Sequence, residues 1–375
     1  MNKAVKQNLL LIIAVFFIGM VPVSKTGTIQ YINDRTLTIE VVDVEKRLID
    51  FEEEISMDTL YAHLSITGAP VFFSRNVVTS VCFDDKCRLL DVILYWNPTG
   101  RYLGFELPEE EFLSKQDHEP FTDEEYLRLN ELLSDPFLPL GNYSYNEIVV
   151  GGLEEDTSDS QYVDEEIDGV SSATSKFILD YVVEGAAYTT YKLYHLIYGP
   201  TSRLIKQWTI GDFNAEYITL LLESENLSDV LWTLEQLEEK LDQYPEISPL
   251  VFDFIKSSEF SLSEKAIQTI NPQNLSSQSF QTDLIALFPQ MDSGKKKWIL
   301  DLFKEAPNVH PETKTFFNES IIDLEVPLIV LLLEVYKKQK MYDATSLEKV
   351  RLLSNSDNNY LAQKAQQFLE NVPNP

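Results

Sequence analysis

Asp168-Gly169-Val170-Ser171-Ser172-Ala173-Thr174-Ser175 stands where an acidic run gives way to a helical pattern. Its reading decides the fold of the chain's first half. Hydroxyls at the mouth of a helix meet backbone N–H groups that have no partner inside the helix. The helix dipole adds partial positive charge at the same place, so a phosphate is well held there. The segment reads as a phosphate-holding helix start.

Towards the N-terminus lies the acidic run itself, residues 153–168. Glu154, Glu155, Asp156, Asp159, Asp164, Glu165, Glu166 and Asp168 fall there without a basic residue. Like charges at that density keep a segment extended. Their spacing does not fit a calcium-binding EF-hand loop, so the segment reads as a solvated linker. Further upstream the pattern is of short strands. Thr36-Leu37-Thr38-Ile39-Glu40-Val41 alternates polar and apolar residues, the period of a half-buried strand. Residues 77–83 and 88–96 read as two strands around the turn Asp84-Asp85-Lys86. That hairpin sets Cys82 opposite Cys87, and a structural disulfide staple is the expectation for an exported chain. Asn97-Pro98-Thr99-Gly100 is a turn leading to a strand over residues 102–105. Thr122 and Glu125 have the spacing of a capping box, predicting a helix that ends near Ser134, before Asp135-Pro136.

Towards the C-terminus, residues 175–198 predict one long helix ended by Gly199-Pro200. Tyr181, Tyr188, Tyr191, His195 and Tyr198 share one of its faces. Two readings stand beside each other there: tyrosines packed in a core with hydroxyls at its edge, and an aromatic wall for a ring. From Asn214 onward apolar residues recur at helical spacing with breaks that repeat. Leu222-Glu223-Ser224, Ile255-Lys256-Ser257, Phe288-Pro289-Gln290 and Ile322-Asp323 end in equal steps, and Leu352-Leu353-Ser354 follows after a slightly shorter one. A second helix follows each break, over residues 230–241, 263–270, 295–303, 326–337 and 360–369. Two helices in every ~33 residues is the pattern of an α-hairpin array. Ankyrin and tetratricopeptide signatures are absent, so the expectation is HEAT-like.

Asp168, Ser171, Ala173 and Thr174 together resemble the flavinylation motif of the FMN-binding domain family, with Ser172 where that family usually has Gly. The resemblance spans roughly residues 77–199. It implies a small α+β domain on an antiparallel sheet, with FMN joined through its phosphate to Thr174. Asp168, Ser171, Ser172 and Ala173 would shape the attachment loop, and Tyr188 would line the ring. Lys115 and His118, in the loop before the capped helix, are further candidates for the flavin's edge, although a lone surface histidine more often packs locally. The family includes flavin-bearing subunits of sodium-pumping NADH:quinone reductase and related electron-transport complexes. A dedicated flavin transferase and a redox partner are implied as partners.

Composition bounds the remaining possibilities. The chain has 375 residues and a formal net charge of −30, from 60 acidic and 30 basic residues. Nucleic acid, which needs concentrated Lys and Arg, is an unsuitable partner, and an anionic membrane surface is disfavoured. Lys3 and Lys6 precede the uncharged run Leu9 to Met20, the form of a secretory signal. Residues 1–24 are read as a signal peptide or N-terminal anchor, with residues 8–24 able to hold the chain at a membrane. The expected location is periplasmic or cell-envelope associated. There is no Gly-x-Ser-x-Gly, no His-Glu-x-x-His, no P-loop and no Rossmann fingerprint. Four scattered histidines and two cysteines form no zinc pattern.

The expected organisation is therefore α+β. A domain over residues 25–200 is followed by helical-hairpin repeats over residues 201–375. Two functions follow. One is an exported flavoprotein carrying covalent FMN for electron transfer, rather than a stand-alone enzyme. The other is a non-catalytic scaffold whose repeats dock a protein partner, with an unflavinylated α+β domain.

Overall fold

The computed structural model describes residues 29–32, 39–51, 55–80, 89–115, 118–144 and 178–372. The fold is α+β: one antiparallel sheet and a long succession of helices. The strands are β1 (Gln30–Ile32), β2 (Asp43–Phe51), β3 (Ile55–Leu64), β4 (Pro70–Thr79), β5 (Leu90–Trp96) and β6 (Tyr102–Glu106), in the order β1-β6-β5-β4-β3-β2. β5 shows why the sequence makes strands here. Leu90, Val92, Leu94 and Trp96 are buried while Asp91, Ile93 and Tyr95 between them are not, the period of two that a one-sided sheet imposes. β1 pairs with β6, setting Tyr31 against Phe105 and Ile32 against Gly104. Gly104 has φ +152, and a Cβ there would lie 2.2 Å from the Tyr31 carbonyl oxygen. The close approach of the two backbones requires glycine.

By mutual packing the chain divides into two compact units. One holds residues 1–34, 75–94 and 103–194; the other holds residues 35–74, 95–102 and 195–375. In the first, α1 (Asp123–Leu133) starts with the capping box expected from the sequence. Thr122 Oγ1 accepts from the Glu125 N–H at 3.3 Å, and the Thr122 N–H donates to Glu125 Oε2 at 2.7 Å. Tyr31, Phe105, Phe121 and Tyr126 pack ring to ring, with neighbouring centroids 5.3–6.3 Å apart.

The expected helix over residues 175–198 is corrected among its described residues. Only Leu179–Tyr181 forms a short 3-10 turn; Val182 is extended, and Gly185 takes φ +70. α2 starts at Ala187 and runs to Tyr198. The left-handed glycine breaks the helix. The Thr190 side chain holds the break, accepting from the Val183 N–H at 3.2 Å and donating to the Ala186 carbonyl at 3.0 Å. Tyr181 therefore shares no helix face with Tyr188. Gly199-Pro200 does end α2, at Tyr198, and α3 (Pro200–Gly211) begins at once, with Pro200 at its first position where proline is favoured. The strand read over residues 36–41 is likewise not found where it can be seen: residues 39–42 lead into β2, which opens at Asp43.

In the second unit, α4 (Ala215–Leu222), α6 (Ser248–Ile255), α8 (Gln278–Leu287), α10 (Pro311–Ser320) and α12 (Ala344–Leu353) alternate with α5 (Leu227–Gln236), α7 (Phe260–Thr269), α9 (Ser293–Glu305), α11 (Val326–Lys338) and α13 (Asn359–Glu370). Leu227, Phe260, Ser293, Val326 and Asn359, which open the second set, follow one another at one constant interval. It is the interval of the breaks seen in the sequence. Side chains of Asn226, Glu259, Asp292 and Asn358 cap four of these starts, satisfying otherwise orphaned N–H groups. The core keeps the same period. Ile218, Val251, Leu284, Phe317 and Val350 are 0% exposed, and so are Thr233, Ala266, Ile299, Leu332 and Ala365. Each set advances by that same interval. Helices of one set also pack on the next of their own set: α5 on α7, α7 on α9, α9 on α11, and α11 on α13. One hydrophobic core thus runs the length of the array.

Candidate functional site

Asp168, Ser171, Ser172, Ala173 and Thr174 lie outside the described residues, as do Cys82, Cys87, the acidic run 153–168 and residues 1–24. Of the residues expected at a flavin site only Tyr188 is placed. It is half-buried on α2. The face of α2 that is buried carries Thr190, Leu193, Tyr194 and Ile197. Tyr191 and Tyr194 spend their hydroxyls on backbone carbonyls, Tyr143 at 2.9 Å and Pro136 at 2.8 Å. They are core tyrosines with hydroxyls at its edge.

Lys115 and His118 are likewise locally engaged. Lys115 Nζ lies 2.9 Å from Glu125 Oε1 and 3.7 Å from Glu119. The hydrogen bond from Lys115, helped by the Thr122 N–H, holds the Glu125 carboxyl below its usual range. His118 is exposed at a turn with φ +64, its N–H bonded to the Lys115 carbonyl. Beside them the Tyr126 hydroxyl receives the Leu113 N–H at 2.8 Å, and burial pushes its pKa to about 12. This polar cluster is a structural support for the loop.

The second unit contains a buried carboxylate that the sequence did not single out. Asp229, at the first turn of α5, has a side chain 3% exposed. Arg101 Nε and Nη2 donate to its two oxygens at 2.9 and 2.8 Å, a two-pronged pair. Thr99 Oγ1 lies 2.7 Å from Oδ1, and Ser224 Oγ donates to Oδ2 at 2.9 Å. Both oxygens are satisfied, so no lone pair is left aimed at a ligand. The turn over residues 97–100 is fixed further by Ser202 Oγ donating to the Gly100 carbonyl and Thr209 Oγ1 to the Pro98 carbonyl. The Asp229 cluster is a clamp. Among the described residues no group of His, Cys, Asp or Glu is arranged to hold a metal, and no helix is long and apolar enough to cross a membrane.

Two concave features with partly exposed tryptophan lie on the array, between successive helices of its second set. One, between α5 and α7, is lined by Leu231, Trp232, Glu235, Glu264, Lys265 and Gln268. The other, reached across α7, is lined by Glu238, Ile267, Ile270, Trp298, Asp301 and Glu305. Trp232, Lys265 and Trp298 occupy one position in successive repeats. Sequence reading missed the pair, although the period was visible: a tryptophan recurring two repeats on, at a helix position left partly exposed, was the available signal. Comparison with protein-family models, with curated proteins and with solved structures returns no match.

Proposed function

We propose that residues 214–370 are a solenoid-like, HEAT-like array whose exposed helix faces dock a protein partner. The observation that carries this reading is the regular recurrence of core positions from Ile218 to Val350 and from Thr233 to Ala365. Repeats that contact only their neighbours build an extended surface, and such surfaces serve binding. The −30 charge favours a partner of basic character. A photo-crosslinking residue in place of Gln268, introduced into the full chain in its native cell, tests this. A discrete covalent adduct from that face is expected. Adduct-free chains, from Gln268 and from equivalent positions on the other helices, would remove the scaffold reading.

A second reading rests on the sequence of residues 168–175. In it the chain is exported to the periplasm or cell envelope, held there by residues 8–24 if they are retained, and carries FMN on Thr174. The cofactor would supply the electron transfer, and the array would bring a redox partner to it. Co-expression with a flavin transferase, denaturation and peptide mass analysis test it. Flavin that stays on the peptide containing Thr174 supports the reading. An unmodified peptide, from the natural chain and from Ser172→Gly, overturns it.

A further inference from the structure

We infer that the α5–α7–α9 face is a binding groove for an extended basic peptide carrying two bulky apolar anchors, one seated at Trp232 and one at Trp298. The inference rests on the scaffold reading and narrows it to one face and one partner chemistry. Three observations converge on it. First, both tryptophans are only partly buried and border a groove. Trp232 is fixed by Phe213, edge to face at 6.4 Å, so the rim is preorganised. Tryptophan is enriched among the few residues that carry most of an interface's binding energy.

Second, the two grooves carry five carboxylates, Glu235, Glu238, Glu264, Asp301 and Glu305, against the single Lys265. Lys265 lies between them, paired with Glu238 at 3.0 Å. Lys297 and Lys304 approach Asp301, Lys338 approaches Glu305, and Lys206 interacts with Glu235. Partly exposed pairs of this kind are weakly held, so an arriving arginine can share or displace them.

Third, the spacing sets the peptide. Packed helices lie about 8–10 Å apart, so two helix steps separate the anchors by roughly 18 Å. An extended chain covers about 3.3 Å per residue, which puts the two apolar side chains about five or six residues apart. Arginine or lysine between them would pass over α7 and meet Glu264 and Glu238.

The probe is a fluorescein-labelled dodecapeptide with two leucines six residues apart and arginines at alternate positions between them. Its control has glutamates for arginines. Titrated with the full chain, the arginine peptide is expected to bind saturably and to weaken as salt rises, and the glutamate peptide to stay free. Trp298→Ala and the pair Glu235→Lys, Glu264→Lys are each expected to weaken binding at least tenfold, with unchanged circular dichroism. Lys265→Glu, which removes the base and adds an acid, is expected to tighten it several-fold. Equal affinity for the two peptides, or no response to these substitutions, overturns the groove. A random-peptide selection on the same chain separates the two levels. Selected peptides that bind all three variants as they bind the natural chain keep the scaffold and discard this site; an empty selection discards both.

Discussion

The turn of residues 97–101 and the helical array are stabilised by opposite strategies. The turn is held by contacts that occur once. Arg101 reaches Asp229, Ser202 reaches the Gly100 carbonyl, Thr209 reaches the Pro98 carbonyl, and the Trp96 indole donates to the Ile197 carbonyl at 3.0 Å. Each is polar, at least partly buried and occurs once. The array is held by one packing solution used five times, with apolar or small residues at equivalent positions. The difference teaches where failure should be global and where it should be local. An unpaired buried charge has nowhere to relax, whereas repeats couple only to their neighbours.

The largest test of that contrast is Arg101→Ala. It leaves the Asp229 carboxylate buried without its guanidinium, and a loss of about 3–5 kcal/mol is expected in urea unfolding followed by circular dichroism. The double change Arg101→Met, Asp229→Leu should recover most of it, since the pair is then removed rather than halved. Failure to recover would mean that the clamp acts through its hydrogen bonds to Thr99 and Ser224 instead.

Leu284→Ala, in the middle of the array, should cost about 2–5 kcal/mol by opening a cavity. Hydrogen exchange should show protection lost first in α8 and in α6 and α10, which pack on it. Uniform loss over residues 195–372 would break the comparison, because the array would then melt as one body.

A smaller effect is expected from pH. His63 lies on β3, its ring stacked on Phe72 at 4.1 Å and its Nε2 2.8 Å from Ser74 Oγ. Burial lowers its pKa from 6.5 to about 4. The unfolded chain therefore takes up the proton first on acidification. Stability from this group is full above pH 6.5, falls as pH drops towards about 4, and changes no further below that. His63→Phe should flatten that part of the stability profile, whereas carboxylate titration would leave it in place.

The smallest effect is at the surface. Lys297→Ala removes an exposed pair with Asp301, 2.8 Å long and one helical turn apart. The expected change is about 0.5 kcal/mol or less.

How much was legible follows from the same contrast. The array announced itself because its information is local: apolar residues a turn apart, polar breaks such as Ser224 and Ser257, and a fixed interval between them. The helix start at Thr122 was legible for the same reason, since a capping box is four adjacent residues. The clamp was not, because Arg101 and Asp229 are 128 residues apart and neither is unusual in its own neighbourhood. The broken helix before Ala187 was missed because Tyr181, Tyr188 and Tyr191 kept a helical interval through Gly185, and a single glycine in the left-handed region outweighed that pattern. The stretch 168–175, which resembles a flavinylation motif, is the converse case, local in sequence and outside the described structure.

The constant repeat interval has a consequence for how this chain can change its length. Glu325 and Asn358 occupy equivalent places before α11 and α13. A gene cut after the codon for Glu325 and rejoined at that for Asn359 would encode one hairpin fewer, with every remaining core position in phase. Duplication of the same span would add one. Unequal recombination can therefore trim or extend the array in whole units while the Trp232–Trp298 face, which lies upstream, passes through unaltered.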